Sequence, residues 1–155
     1  MKKLILYSLA MSLSVCFGQV GIGTITPLST LDINGNVSFK VVNLDGRNFA
    51  NKTPINDGFY LNLRPNNGAA NNGNDFELPN AVLVPGRMYI LRNVKNCDDA
   101  YIYSLGPSLI FAGNSRTATP QPITMGADCA NTGSATKTLI FISDGANWTY
   151  GQLGF

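Results

Sequence analysis

The segment Thr138 to Tyr150, TLIFISDGANWTY, restricts the fold more than any other stretch of the chain. Leu139 to Ile142 are consecutive apolar residues, so a strand running through them is apolar on both faces. Asp144-Gly145 then offers turn chemistry, and Trp148 and Tyr150 alternate on the return. The pattern predicts a buried hairpin that closes the chain. Met88 to Leu91, set off by the Pro85-Gly86 turn, is a second run of the same kind. Two strands apolar on both faces need cover above and below, which a two-sheet sandwich or a subunit partner supplies.

The rest of the chain agrees with an all-β class. Phe59, Leu61 and Leu63 alternate with Tyr60 and Asn62, and Tyr101, Tyr103 and Leu105 alternate with Ile102 and Ser104. Leu109 to Phe111 and Ile123 to Met125 are shorter strand candidates between loops rich in Gly, Pro, Ser and Thr. Turns at these intervals predict a small antiparallel β-sandwich, jelly-roll-like or Greek-key, over residues 58–155. At 155 residues the chain has material for one such domain and a short appendage.

The appendage is expected at the N-terminus. Lys2 and Lys3 precede an apolar run from Leu4 to Phe17 that ends in small residues, the layout of a secretory signal peptide. Its helical run is shorter than the roughly 20 residues a membrane span needs. Cleavage is expected near Gly18-Gln19, giving a signal peptide of residues 1–18 and a secreted or bacterial cell-surface location. The alternative treats Cys16 as a lipidation site, and hence a lipid anchor, because Leu13-Ser14-Val15-Cys16 loosely follows a lipobox. Residues 19–57 then form an extended or β stalk segment, with Val37, Phe39 and Val41 on one face of a strand and a polar boundary over Gly46 to Asp57.

Loss of Lys2 and Lys3 from the 11 basic residues leaves nine, against 9 acidic ones. A neutral chain with scattered charge lacks the electrostatic footprint of a nucleic-acid binder. Two cysteines remain, Cys97 and Cys129, in polar loops of a chain bound for an oxidising compartment, and a disulfide between them is expected.

No histidine occurs, so neither a Ser-His-Asp nor a Cys-His arrangement can be built, and no histidine metal site either. The Pro65 to Asp75 loop offers Asn72, Asn74 and Asp75 as hard oxygen ligands, but its spacing departs from that of the known calcium loop and it supplies one carboxylate, so it reads as a plain loop. Asp98 and Asp99 are neighbours that point apart on a strand, and they read as solvated loop residues. No catalytic residue, cofactor or metal is expected. Tyr89, Tyr101, Tyr103, Trp148 and Tyr150 are the candidate ligand-binding residues, since flat rings stack on sugars and anchor protein contacts; their competing role is packing in the core or at a subunit interface. Asp144, Gly145 and Asn147 read as turn residues first.

Two stretches carry a family resemblance. Val20-Gly21-Ile22-Gly23-Thr24, Thr26-Pro27 and Leu31-Asp32-Ile33-Asn34-Gly35-Asn36-Val37 resemble a segment that follows the signal peptide in many secreted proteins of Bacteroidota, and that also occurs in phage tail-fibre proteins. Leu78-Pro79, the glycine turn into Met88 to Asn93, and Ser143 to Trp148 are similar, in that order, to the small β head modules of tail fibres. The resemblance implies a stalk or assembly role for the first stretch and a homo-oligomer, a trimer above all. The Cys97 and Cys129 loops and the short stalk depart from that pattern. The expected function is a non-enzymatic exported surface protein, a fibre-like attachment or extracellular assembly module whose partner is a glycan or surface protein. The alternatives are a monomeric carbohydrate- or peptide-binding domain and, behind it, a small exported hydrolase.

Overall fold

The computed structural model describes residues 19–66, 73–130 and 132–152. The expected signal peptide with Cys16, and Asn72 of the asparagine-rich loop, lie outside the described residues. Strand dominates, and the helical pieces among the described residues are single 3-10 turns at Phe49–Asn51 and Ala81–Leu83. Among these residues no helix is long and apolar enough to cross a membrane.

The chain divides into two compact units at Ser38 and Phe39. In the first, β1 (Val20–Ile22) pairs in parallel with β2 (Leu31–Ile33), opposing Val20 to Leu31, Gly21 to Asp32 and Ile22 to Ile33. A parallel pair joined through so short a loop needs close backbone approach. Gly23 supplies it with φ +72°, and a Cβ there would stand 2.6 Å from the Asn34 carbonyl oxygen. The Asp32 carboxylate accepts from Leu28 N–H at 2.8 Å and closes the intervening loop. The glycines and the Leu-Asp-Ile-Asn run are therefore the working parts of a small backbone clip.

The second unit holds two sheets. A six-stranded sheet runs in the order β3 (Val41–Asp45), β5 (Tyr60–Arg64), β7 (Met88–Asn93), β11 (Thr138–Ser143), β12 (Trp148–Gln152) and β9 (Ile110–Ala112). A four-stranded sheet runs β10 (Ile123–Met125), β8 (Ala100–Ser104), β6 (Asp75–Leu78), β4 (Thr53–Pro54). The all-β expectation holds, but the sheets are mixed where antiparallel ones were expected. From β3 to β10 consecutive strands alternate between the sheets, so each strand returns to its own sheet after a strand in the other and lies parallel to its predecessor in β3-β5-β7 and β4-β6-β8. The winding places sequence-adjacent strands in different sheets and leaves few hairpins.

The hairpin read over Thr138 to Tyr150 is present as β11 and β12, antiparallel, with Ser143 opposite Trp148 across Gly145 at φ +89°. The Asp144 carboxylate accepts from the N–H groups of Ala146 and Asn147, both at 2.7 Å, which fixes the turn and holds its carboxyl below the usual carboxylate range. The two runs read as apolar on both faces are central neighbours, with Leu91 opposite Leu139 and Ile90 opposite Ile140. One face, with Tyr89, Leu91, Leu139 and Phe141, is fully buried in a single cluster that also takes Phe76, Leu78, Ile102 and Met125 from the smaller sheet. The other face is half-buried at Met88, Ile90 and Ile140 and opens further at Ile142, where 40 % of the residue is exposed. Cross-strand neighbours shield one another there, which buries such a face only in part. The strand expected before the stalk boundary is β3, and it forms an edge of the six-stranded sheet beside β5.

Candidate functional site

Three of the five aromatic candidates belong to the interior. Tyr89 and Trp148 are fully buried with ring centroids 5.8 Å apart, and the indole Nε1 donates to the Pro79 carbonyl at 2.9 Å. Tyr150 is half-buried and stacks on Phe141 at 5.7 Å, facing the same core. The Tyr89 and Trp148 rings contribute packing and present no surface to a ligand, whereas Tyr150 keeps part of its surface. The hairpin register explains the outcome: Trp148 and Tyr150 oppose Ser143 and Phe141, on the side of β11 that is buried.

Tyr101 and Tyr103 alternate with the buried Ala100 and Ile102 and so stand on the outward face of the four-stranded sheet. Phe49, supplied by the 3-10 turn before β4, meets Tyr103 edge to face at 5.4 Å. The Lys52 ammonium lies 4.3 Å from the Phe49 ring and 4.9 Å from the Tyr103 ring, and 3.6 Å from a Glu77 carboxylate oxygen. Burial, followed by the charge of Asp75 and the hydrogen bond to its carboxylate, pushes the Tyr103 phenol up to about 12. Tyr103 is thus engaged by its own neighbours, and Tyr101 is the less encumbered ring of this face.

The motif positions in the second unit are internal fastenings. Asn93, at the end of β7, is buried; its Nδ2 donates to the carbonyls of Asp98 at 2.8 Å and Met125 at 3.1 Å, and its Oδ1 accepts from Lys95 N–H at 2.9 Å. The Ala81 N–H donates to Ser108 Oγ at 3.0 Å, and Ser143 Oγ donates to the Ala81 carbonyl at 2.9 Å, tying the Leu78-Pro79 step to β11. Asn147 Oδ1 accepts from Leu109 N–H at 3.0 Å, where β9 joins β12. Each of these contacts satisfies a backbone group, and those of Asn93 to Met125, Ala81 to Ser108 and Ser143 to Ala81 do so in buried surroundings.

Cys97 and Cys129 lie at bridging distance, with Cα atoms 4.6 Å apart. Beside them Asp99 accepts from Ala127 N–H at 2.6 Å and Asp128 N–H donates to the Asn96 carbonyl at 2.7 Å, so the two loops are cross-linked three ways. Asp99 therefore serves the loop, and no group of three metal-ligating side chains occurs among the described residues.

The most conspicuous unburied chemistry is in the N-terminal clip. The register puts Val20, Ile22, Leu31 and Ile33 on one face of the β1–β2 pair, and Gly21 and Asp32 on the other. Val20, Ile22 and Leu31 are all more than half exposed, Ile25 is 98 % exposed and Leu28 93 %. The backbone geometry gives Gly23 and Asp32 their roles, and the apolar face emerges only once the strands are known to pair in parallel. No family model, curated protein or solved structure matches the chain.

Proposed function

We propose that this chain is a non-enzymatic exported surface protein in which the N-terminal clip joins copies of the chain, a homotrimer above all, and a β-sandwich head is displayed for attachment or extracellular assembly. The observation that carries the reading is the exposure of Val20, Ile22, Ile25, Leu28 and Leu31 together in a unit whose backbone is already hydrogen-bonded. Backbone pairing fixes the shape of the clip, while its apolar side chains gain burial from another surface. The two sheets that share one buried cluster support the sandwich, and the bridged cysteines agree with an oxidising location. The test is to place a cysteine at Val20 and treat the exported protein with a short bis-maleimide. Cross-linked copies, on a chain whose intact mass begins at Gln19, are expected; a chain that keeps Met1 to Gly18, or that never cross-links, contradicts the reading.

The second reading is a monomeric carbohydrate- or peptide-binding domain. Tyr101 and Tyr103 on the outward face of the smaller sheet favour it. It requires binding that depends on Tyr101 in a chain that stays single.

A further inference from the structure

On the outward side of the six-stranded sheet a cleft of about 420 Å³ opens between the strand ends and the loop beyond the disulfide. That lies within the roughly 300–1,000 Å³ typical of small-ligand sites. Its floor comes from three adjacent strands: Tyr60 of β5, Arg92 of β7 and Thr138 of β11, with Arg92 directly opposite Thr138. Its wall carries Asp128, Ser134 and Lys137.

The wall is held in place. The Cys97–Cys129 bridge ties its start to the loop after β7, Thr136 Oγ1 accepts from Gly126 N–H at 3.0 Å, and the Lys137 ammonium donates to the Lys95 carbonyl at 2.7 Å. The Asp128 carboxylate is turned to its own loop, accepting from Thr132 N–H at 2.9 Å and Gly133 N–H at 3.1 Å. The Arg92 side chain is exposed, and its guanidinium is in none of the ion pairs among the described residues. A guanidinium presents a planar fork of donors that matches a carboxylate or a sulfate ester through paired hydrogen bonds. With Arg92 and Lys137 set against Asp128, the charged lining leaves one positive charge to be met.

We infer that this cleft binds a sugar ring bearing a single negative charge, with Arg92 gripping the anionic group, Tyr60 forming a flat floor against the ring, and the Ser134 and Thr138 hydroxyls serving its hydroxyls. The inference goes beyond the surface-protein function proposed above, whose leading reading names no ligand and whose second reading places carbohydrate binding at Tyr101 and Tyr103 instead, and it stands whether or not copies of the chain associate. A uronate and a sulfated sugar share the recognising chemistry.

The experiment is isothermal titration of the full exported chain at low ionic strength with trigalacturonic acid, with its methyl ester, and with a mono-sulfated neutral trisaccharide. Binding of one acidic probe, no binding of the ester, and weakening with added salt are expected. Arg92→Gln should weaken binding about tenfold or more, and Arg92→Lys should restore only part of it. Since Arg92 is exposed, both variants should keep the thermal midpoint of the parent, which confirms that they are folded. Failure of both acidic probes to bind the folded parent overturns the inference, as does equal binding of the ester or unchanged affinity in Arg92→Gln. Sedimentation of the same samples separates the two ideas: a single chain that binds the acidic probe leaves the cleft standing and removes the proposed assembly.

Discussion

Ile25 and Ile55 are the same side chain with opposite fates: the first is 98 % exposed in the N-terminal clip, the second 0 % exposed in the body of the protein. The difference lies in how each unit is wound. In the body the chain passes from sheet to sheet, so each strand's inner face meets strands from the other sheet in one shared cluster. In the clip two short strands pair with each other, no third strand joins them among the described residues, and Val20, Ile22 and Leu31 stay more than half exposed. Hydrogen bonds, a glycine at positive φ and one aspartate define the clip's shape, whereas hydrophobic burial defines the body. A substitution can therefore harm one unit and spare the other.

The largest effect belongs to the body's centre. Trp148→Ala removes the biggest buried side chain and strips the Pro79 carbonyl of its donor, and it should cost about 3–5 kcal/mol in a chemical denaturation series. If the clip contributed to the body's core, the same loss would follow from clip substitutions, and the contrast would break. Opening the disulfide comes next. Cys97 and Cys129 are 32 residues apart, and the paired Cys97→Ser, Cys129→Ser variant should lose about 3–4 kcal/mol on the chain-entropy model, read from the shift in denaturation midpoint.

Gly23→Ala sharpens the contrast from the other side. The alanine would need φ near +72° with its Cβ 2.6 Å from the Asn34 carbonyl oxygen, so the clip should be disrupted by about 1–3 kcal/mol locally. Cross-linking at position 20 should fall while the thermal midpoint of the body stays put. The smallest effect is a slope. The folded protein holds the Tyr103 proton up to about 12, above the ordinary phenol value of 10.0, so the unfolded chain releases its proton first and stability falls as pH rises through that window. Burial shifts Tyr89 in the same direction. Tyr103→Phe should flatten the alkaline decline in denaturation midpoint without abolishing it.

Much of the body's chemistry was legible in the sequence, and much of its topology was not. Leu139 to Ile142 and Asp144-Gly145 announce the β11–β12 hairpin because both partners and the turn lie in one local stretch. Turn residues such as Pro85-Gly86 say that the chain changes direction, but not which sheet receives it next; that is why antiparallel pairing was expected where β5 and β7 are parallel. Thr53–Pro54, inside a stretch read as a polar boundary, is an edge strand of the smaller sheet, the position where a proline costs least. The burial of Trp148 follows from register across Ser143, which no alternation pattern alone supplies. The cleft was invisible for the same reason. Tyr60, Arg92 and Thr138 come from distant parts of the chain, and the one local hint is a lone arginine on the outward side of an apolar strand.

The central claim is that the body completes its own core and the clip is completed by other copies. Sedimentation equilibrium on the full chain, beside the paired Ile25→Asp, Leu28→Asp variant, tests it most directly. The account predicts a parent that sediments at a multiple of its chain mass, a trimer above all, and a variant that sediments as a single chain with the parent's thermal midpoint. A parent that sediments as one chain, or a variant that stays assembled, contradicts it.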